Sequence, residues 1–418
     1  MVSAEMRTGR YLWHVALRRT PCRLKPELQT GAVGARVGGR GREFFQALMR
    51  LGICAVMLGC AVAFAVAAAA VEPVRVVLAT AEAEFNQLFQ RTNGWVGADA
   101  IYSIPISAER TLWFFGDTFV GRVADGRRTN VTMINNSVGV QTGRGATAGV
   151  EFFYQRKADG KAAAWLEPAA GGGWLWPFGG GFEDGQAWLF LWQMEKTAGG
   201  GAFAFRNVAV WLARIENPLA APGAWRISQV KIPFTDVAGE RRRLFGSAVL
   251  RADGWNYIYG IEEPAKGIGA ARRMLVARAP AGKVDAFAEW RFWNGEEWVA
   301  DFGQVRGVVG GMGSEYSVNY VASRRRYVAV TTENGLSDKI VARAAEQPWG
   351  PWSEARVIYE CPEVALTRRV FCYAGKAHAL LDGDGELLVS HAFNSHDFWE
   401  VVRDARLYWP RFVRVRLE

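Results

Sequence analysis

Trp211-Leu-Ala-Arg214, Leu275-Val-Ala-Arg278 and Ile340-Val-Ala-Arg343 decide how this chain is read. Their arginines lie 64 and 65 residues apart, and each is followed after 9 to 12 residues by a tryptophan: Trp225, Trp290 and Trp352. A fixed long period in a chain of short β-runs is the signature of a repeat architecture. About 65 residues accommodate a four-stranded sheet with its loops, so the expected unit is a β-propeller blade.

Working outward from these strings, five units can be aligned. Each has an inner strand, a tight hairpin, a second strand, a third strand carrying the Ala-Arg string and an outer strand near the tryptophan. The inner strands are read at Gly97–Ile106, Trp176–Phe182, Phe245–Leu250, Gly313–Tyr320 and Gly375–Leu381. The hairpins fall at Ala108-Glu-Arg, Asp184-Gly185, Asp253-Gly254, a basic turn before Arg326, and Asp382–Asp384. Five such units fill the body, and the expected fold is all-β, a five-bladed β-propeller. A short helix is predicted within Ala81–Arg91. Ring closure is expected between Pro73–Ala79 and Arg411–Leu417, β-rich segments at opposite ends of the body.

Of the 418 residues, 50 are Lys or Arg and 41 Asp or Glu, a net charge of +9. Residues 1–50 carry +7 of it, residues 51–70 carry no charge, and residues 71–418 hold 40 basic against 38 acidic side chains. A nearly neutral body excludes an electrostatic case for nucleic acid as a partner. The apolar run Leu51–Val71 follows Arg50 and ends in Ala67-Ala-Ala-Ala70, the pattern of a secretory signal peptide. Met49-Arg50-Leu51 makes a natural start for it. Residues 1–48 are therefore expected to be a non-structured or mis-assigned extension, 49–70 the signal peptide and 71–418 the folded domain. The same run is long enough for a membrane anchor, and a membrane association is expected only if it stays uncleaved. Export places the body in an oxidising compartment, where Cys361 and Cys372 have two readings, a local disulfide or two buried thiols. No cysteine or histidine spacing matches a zinc motif, and no metal or cofactor is expected.

In such a ring the start of each inner strand and the end of each second strand share one face, and the hairpins lie on the other. This rule gathers Asp99, Asp117, Gln193, Ser247, Glu262, Glu263, Glu315, Glu333, Lys376, His378, His391 and Asn394 at one mouth. It assigns Glu183, Asp184, Asp253 and Asp382 to turns. Carboxylates converging on one mouth should have separated pKa values, which suits acid/base chemistry on glycosidic bonds. Asp99 sits in an apolar Gly-Ala-Asp-Ala run, where an unused carboxylate is costly. Asp117 also reads as a cap of the following turn. Candidate catalytic residues are Asp99, Asp117 and Glu315. Candidate sugar contacts are Asn135, Asn136, Trp176, Gln193 and Glu262, joined by Glu333, Lys376, His378 and Asn394. Arg214, Arg278 and Arg343 read as structural, and the tryptophans after them as wedges between sheets.

Gly94-Trp-Val-Gly-Ala-Asp-Ala-Ile-Tyr-Ser-Ile-Pro, Leu112-Trp-Phe-Phe-Gly-Asp-Thr-Phe-Val-Gly and Ile134-Asn-Asn-Ser-Val resemble the DUF4185-type five-bladed propellers. So do Gly313-Ser-Glu-Tyr-Ser-Val, Phe371-Cys-Tyr-Ala-Gly-Lys-Ala-His and Asn394-Ser with Tyr408-Trp-Pro-Arg-Phe. That group looks related to endo-D-arabinanase glycoside hydrolases. The resemblance implies an acidic pair at Asp99 and Asp117 and a fourth-blade glutamate at Glu315. It departs at His378-Ala-Leu-Leu, where the pattern implies His-Pro-Glu-Leu. The expected function is a secreted, periplasmic or cell-surface glycosidase, acting as a monomer on a polysaccharide or oligosaccharide such as an arabinan or other furanoside. The alternative is a carbohydrate-binding propeller without catalysis.

Overall fold

Runs of Val, Phe, Trp and Tyr closed by glycine-containing turns pair with their immediate neighbours in this computed structural model, so most sheets are antiparallel meanders. Residues 71–144, 148–198, 204–265, 271–379 and 385–418 are described. The leader region and the Asp382–Asp384 turn lie outside them.

Sheet I is Tyr102–Ser107, Arg110–Phe115, Ser137–Thr142 and Gly149–Phe153. Sheet II is Trp174–Glu183, Gln186–Lys196, Phe205–Ile215 and Ile227–Lys231. Sheet III runs Arg241–Ala252, Trp255–Pro264, Arg273–Pro280, Arg291–Trp293 and Trp298–Val299. Sheet IV is Tyr316–Val321, Arg326–Thr332, Lys339–Ala345 and Arg356–Glu360. Sheet V orders Val370–His378, Glu386–Ser395 and Arg411–Leu417, and its fourth strand is Val76–Ala81 from the other end of the chain. The expected terminal pair therefore forms, antiparallel, with Ala79 opposite Val415. The predicted helix is a short one, Ala83–Gln87.

Neighbouring sheets touch through their first strands in the order I–II–III–IV–V. Sheets V and I are joined by Ser103 Oγ to His378 Nδ1 at 2.8 Å. All five first strands line one narrow channel of about 180 Å³. Asp184-Gly185 and Asp253-Gly254 turn with positive φ at both residues, as two-residue hairpins of the primed type require. The first strands of sheets II, III and V each slip register at one matching place, at Pro177/Gly180, Phe245/Ala248 and Tyr373/Lys376. Bulges of this kind re-aim the side chains that follow them.

One feature of the first unit departs from the sequence reading. Gly97-Ala98 does not begin an inner strand. It ends Asn93–Ala98, which pairs with Thr118–Ala124, itself paired with Arg127–Ile134, in a separate three-stranded sheet. Ala100 and Ile101 follow with φ of 66° and 60°, and this left-handed kink breaks one continuous run into two strands. Arg128 fastens the insert, its guanidinium donating to the carbonyls of Val96, Val401 and Leu407 at 2.6–2.7 Å.

The Ala-Arg strings all lie on third strands, as expected. Arg214 reaches Asp285 at 2.7 Å, from sheet II to the loop after the third strand of sheet III. Arg343 donates to the carbonyls of Ser353 and Gly310. Arg278 instead stacks between Trp255 and Trp298, 4.1 and 4.3 Å from their centroids. Trp290 is buried against Phe190 of sheet II and Phe245 of sheet III, the wedge that the repeat implied. A buried ring of this size removes about 150–250 Å² from water, a gross gain of about 4–6 kcal/mol. Among the described residues no helix is long and apolar enough to cross a membrane.

Candidate functional site

A second cavity, of about 700 Å³, is bordered by residues of sheets I to V and their connecting loops. Its size is that of a ligand site. Asp99, Glu315 and Trp176 line it, together with Trp192, Phe205, Tyr373, Arg242, Glu263, Arg272 and His396.

Asp99 stands in the kink between the inserted sheet and sheet I. Its backbone is stapled to the two residues that follow the second strand of sheet I, Asp99 N to Asp117 O at 3.3 Å and Gly116 N to Asp99 O at 3.1 Å. Gly116 is needed there, because a Cβ would lie 2.5 Å from Asp99 Oδ1. The carboxylate accepts from Tyr373 Oη at 2.7 Å and Tyr408 Oη at 2.9 Å. Burial raises its pKa, and the two phenols and the Lys376 cation pull against that rise. Two consecutive non-glycine residues in the left-handed region, one β-branched, store strain immediately after it.

Asp117 lies behind Asp99 and does not line the cavity. Its Oδ1 accepts from Asn135 Nδ2 at 3.1 Å and Trp176 Nε1 at 3.0 Å, so it orients an aromatic wall of the cavity. Burial first, then the charge of Asp99, push it up to about 7.

Glu315 precedes the first strand of sheet IV. Burial pushes it up to about 7, opposed by Lys376 and reinforced by Asp99. Lys376 Nζ stands 3.6 Å from Glu315 Oε1, beyond hydrogen-bond range, and Oε1 is buried with no hydrogen-bond partner. The ammonium spends its donors on the carbonyls of Ala374 and Ala100 and sits 4.5 Å over the Tyr102 ring. Burial lowers its own pKa.

The cavity also carries an ion-paired wall, whose Arg272 is near enough to Glu315 to pull its pKa down. Arg242 Nη2 meets Glu263 Oε1 at 2.8 Å, and Arg272 Nη2 meets Glu263 Oε2 at 2.6 Å. The acids of the cavity do not converge, among the described residues, on a point that a metal ion could occupy.

Of the predicted sugar contacts, Trp176 lines the cavity, Lys376 stands behind Glu315, and Asn135 holds Asp117, one layer further back. The others are placed elsewhere. Gln193 is buried structurally, accepting from Trp211 Nε1 and donating to the carbonyls of Ala170 and Gly172. Asn136 donates to the carbonyls of Leu166 and Leu175. His378 is held between Ser103 and Ser390 in the narrow channel, where burial keeps its pKa well below the usual value. Glu262 is taken up by Arg241 and Arg243. Glu333 opens a 3-10 turn whose next residues, Asn334 to Leu336, reach the cavity in its place. Asn394 Oδ1 accepts from its neighbour Ser395 N, and its side chain also hydrogen-bonds Tyr373, the phenol that holds Asp99, so it supports the cavity from outside. The face rule gathered these residues by strand position alone, and position does not say which side of a strand a side chain takes.

Tyr373, Tyr408, Arg242 and Arg272 were missed. Both tyrosines sit in strings that carried the family resemblance, but nothing in a sequence pairs a phenol with an acid some 270 to 310 residues away.

The chain matches the family described as "Domain of unknown function (DUF5005)" over residues 82–417. This overturns the resemblance to DUF4185-type propellers: the strings behind it were short glycine- and aromatic-rich segments, weak singly. No curated protein matches the chain. A Bacteroides ovatus protein provisionally described as a hydrolase is similar in structure, with TM-score 0.63 and 18% identity over 81% of this chain and 90% of that one. The GH43_1 enzyme from Xanthomonas citri complexed with xylose gives TM-score 0.41 and 16% identity over 79% and 92% of the two chains. A Cellvibrio cellulosa alpha-L-arabinanase mutant gives 0.42 and 11% over 76% and 91%. The first shares the fold; the other two are too distant to carry weight, and with them goes the link to arabinanases. The chain belongs to the DUF5005 family.

Proposed function

We propose that this chain is an exported glycoside hydrolase built on a five-bladed β-propeller, cleaving an oligosaccharide or polysaccharide in the 700 Å³ cavity. The cyclic contact of five first strands around one channel supports the architecture. The observation that carries the chemistry is that Asp99 and Glu315 line one cavity, where burial and the charge of Asp99 push Glu315 up to about 7. Glu315 is the general acid and delivers its proton to the glycosidic oxygen as the bond to the anomeric carbon breaks. Asp99, whose two phenol donors favour the carboxylate, acts as base toward the attacking water. Asp117 is a positioning residue, holding Trp176 for the sugar face and Asp99 through the shared backbone staple. Reducing-end release from arabinans and a wider glycan panel tests this: activity in the wild type, lost in Asp99→Asn and Glu315→Gln, is expected.

One contact favours a second reading, a carbohydrate-binding propeller without catalysis. Lys376 stands 3.6 Å from Glu315, and a glutamate paired with an ammonium has no proton to give. Glycan binding by all three proteins with no reducing ends released by any would decide for it.

A further inference from the structure

Cys361, Cys372 and His391 come from three segments: the connection leaving sheet IV, and the first and second strands of sheet V. All three are buried, and one ligand atom of each lies within 4.8 Å of the other two. Zinc held at about 2.3 Å by sulfur and about 2.0–2.1 Å by nitrogen sets ligand atoms about 3.5–3.8 Å apart, so shifts of about an ångström bring these three donors to bonding distance and leave the fourth tetrahedral position to a small exogenous ligand such as water.

The histidine is preset for a metal. Its Nε2 stands 3.2 Å from Glu363 Oε2, which holds the ring proton on that nitrogen. Nδ1 then carries a lone pair, and it is buried without a hydrogen-bond partner. Glu363 is itself steadied by Arg411 at 3.4 Å. A carboxylate behind a histidine ligand is the usual outer support of a metal site, fixing tautomer and ring orientation. Two thiolates and one imidazole around a divalent ion sum to zero charge, which suits a buried position. Sulfur ligands select zinc over magnesium or calcium.

We propose that Cys361, Cys372 and Nδ1 of His391 bind a zinc ion that ties sheet IV to sheet V. The spacing, ten residues between the cysteines and eighteen to the histidine, has no zinc-finger pattern because strand pairing, not a local loop, brings the ligands together. Tyr373, next to Cys372, donates to Asp99, so the ion would also steady the cavity from behind.

The test uses the full chain, purified reduced and without chelator. One zinc per chain by elemental analysis is expected, with thiolate-to-cobalt absorption when Co²⁺ replaces it. Chelation should lower the melting temperature by roughly 5–10 °C. His391→Ala should abolish stoichiometric zinc while keeping both thiols, and Cys361→Ala with Cys372→Ala should abolish it by removing them. If those variants do not fold, the wild-type measurements alone decide. Reduced wild type that retains no zinc in competition with a chromophoric chelator overturns the proposal. So does an intact mass short by two hydrogens after native purification, which would mark a Cys361–Cys372 disulfide in place of the metal.

Discussion

Glu263 and Glu315 border the same cavity and are held in opposite ways. Each oxygen of Glu263 is taken by a guanidinium, Arg242 on one side and Arg272 on the other, at 2.8 and 2.6 Å. Glu315 has a single ammonium at 3.6 Å and one oxygen with no hydrogen bond at all. Equal depth in a cavity therefore does not make equal chemistry. A carboxylate gripped by planar forks is part of the wall, whereas one in a dry site with a distant, already occupied cation can exchange a proton near neutrality.

The largest expected effects separate these two acids. Glu315→Gln and Asp99→Asn should each lower turnover by about 10²–10⁴-fold, the range for a lost general acid or base, while melting within a few degrees of the wild type. Glu263→Gln should do the reverse. It leaves the buried Arg272 and the partly buried Arg242 without a charged partner, a loss of about 3–5 kcal/mol by denaturant titration. Should Glu263→Gln keep its stability and lose turnover, the division between wall and reacting groups is wrong.

pH sharpens the same contrast. Unfolded Asp and Glu titrate at about 4, but folded Asp117 and Glu315 hold their protons to about 7. The native state binds more protons across that interval, so their contribution to stability is full below about pH 4 and is lost as pH rises toward about 7. Unfolding of the wild type at pH 5 and 7.5, compared with Asp117→Asn/Glu315→Gln, should show a smaller difference between the two pH values in the double variant. Activity should fall on the same alkaline limb as Glu315 loses its proton. An alkaline limb unchanged in position when Lys376 is replaced by Met would contradict the assignment, because Lys376 lowers the Glu315 pKa and its removal should move the limb up.

Smaller effects are expected behind Asp99. Tyr373→Phe removes a donor to the carboxylate that is not shared, a loss of about 1.5–3 kcal/mol for a charged hydrogen bond. Tyr408→Phe should cost less, because its one proton is divided between Asp99 Oδ2 at 2.9 Å and the Asp117 carbonyl at 3.0 Å. Both variants raise the Asp99 pKa further, so the acidic limb of kcat/KM should shift upward, more for Tyr373→Phe. Equal and pH-independent losses would mean that the phenols only pack.

The repeat was legible because period, Asp-Gly turns and the Ala-Arg strings are local, and sheets II, III and IV are local meanders. Asp99 was legible because a carboxylate in an apolar run is costly unless used, and Glu315 because it stands at the start of an inner strand, on the mouth side; both line the cavity. What the sequence hid is long-range or side-dependent. Ala100 and Ile101 do not advertise a left-handed backbone, so Gly97–Ile106 reads as one inner strand although its first residues end a strand of the inserted sheet. Gln193 and His378 occupy the right strands but turn their polar atoms to Trp211 and Ser390. The Arg242–Glu263–Arg272 wall joins neighbouring strands of one sheet, yet three adjacent arginines, Arg241 to Arg243, look like a solvated run until their partners are placed.

The Ala-Arg strings give the smallest effects and the clearest control, since they share a sequence pattern and differ in surroundings. Arg214 and Asp285 are 31% and 47% exposed at their side chains, so water and salt screen the pair, and Arg214→Ala should cost no more than about 1 kcal/mol. Arg278 lies between two indole faces, each contact worth about 0.5–1 kcal/mol or more when partly desolvated, so Arg278→Ala should cost about 2 kcal/mol. Neither should alter kcat, because neither guanidinium lines the cavity. Raising the salt concentration should shrink the Arg214→Ala loss and leave most of the Arg278→Ala loss, since stacking on an indole excludes the solvent that does the screening. A loss at Arg278 as salt-sensitive as that at Arg214 would show that the repeated arginine has one role in all three sheets, and that the tryptophans around it are incidental.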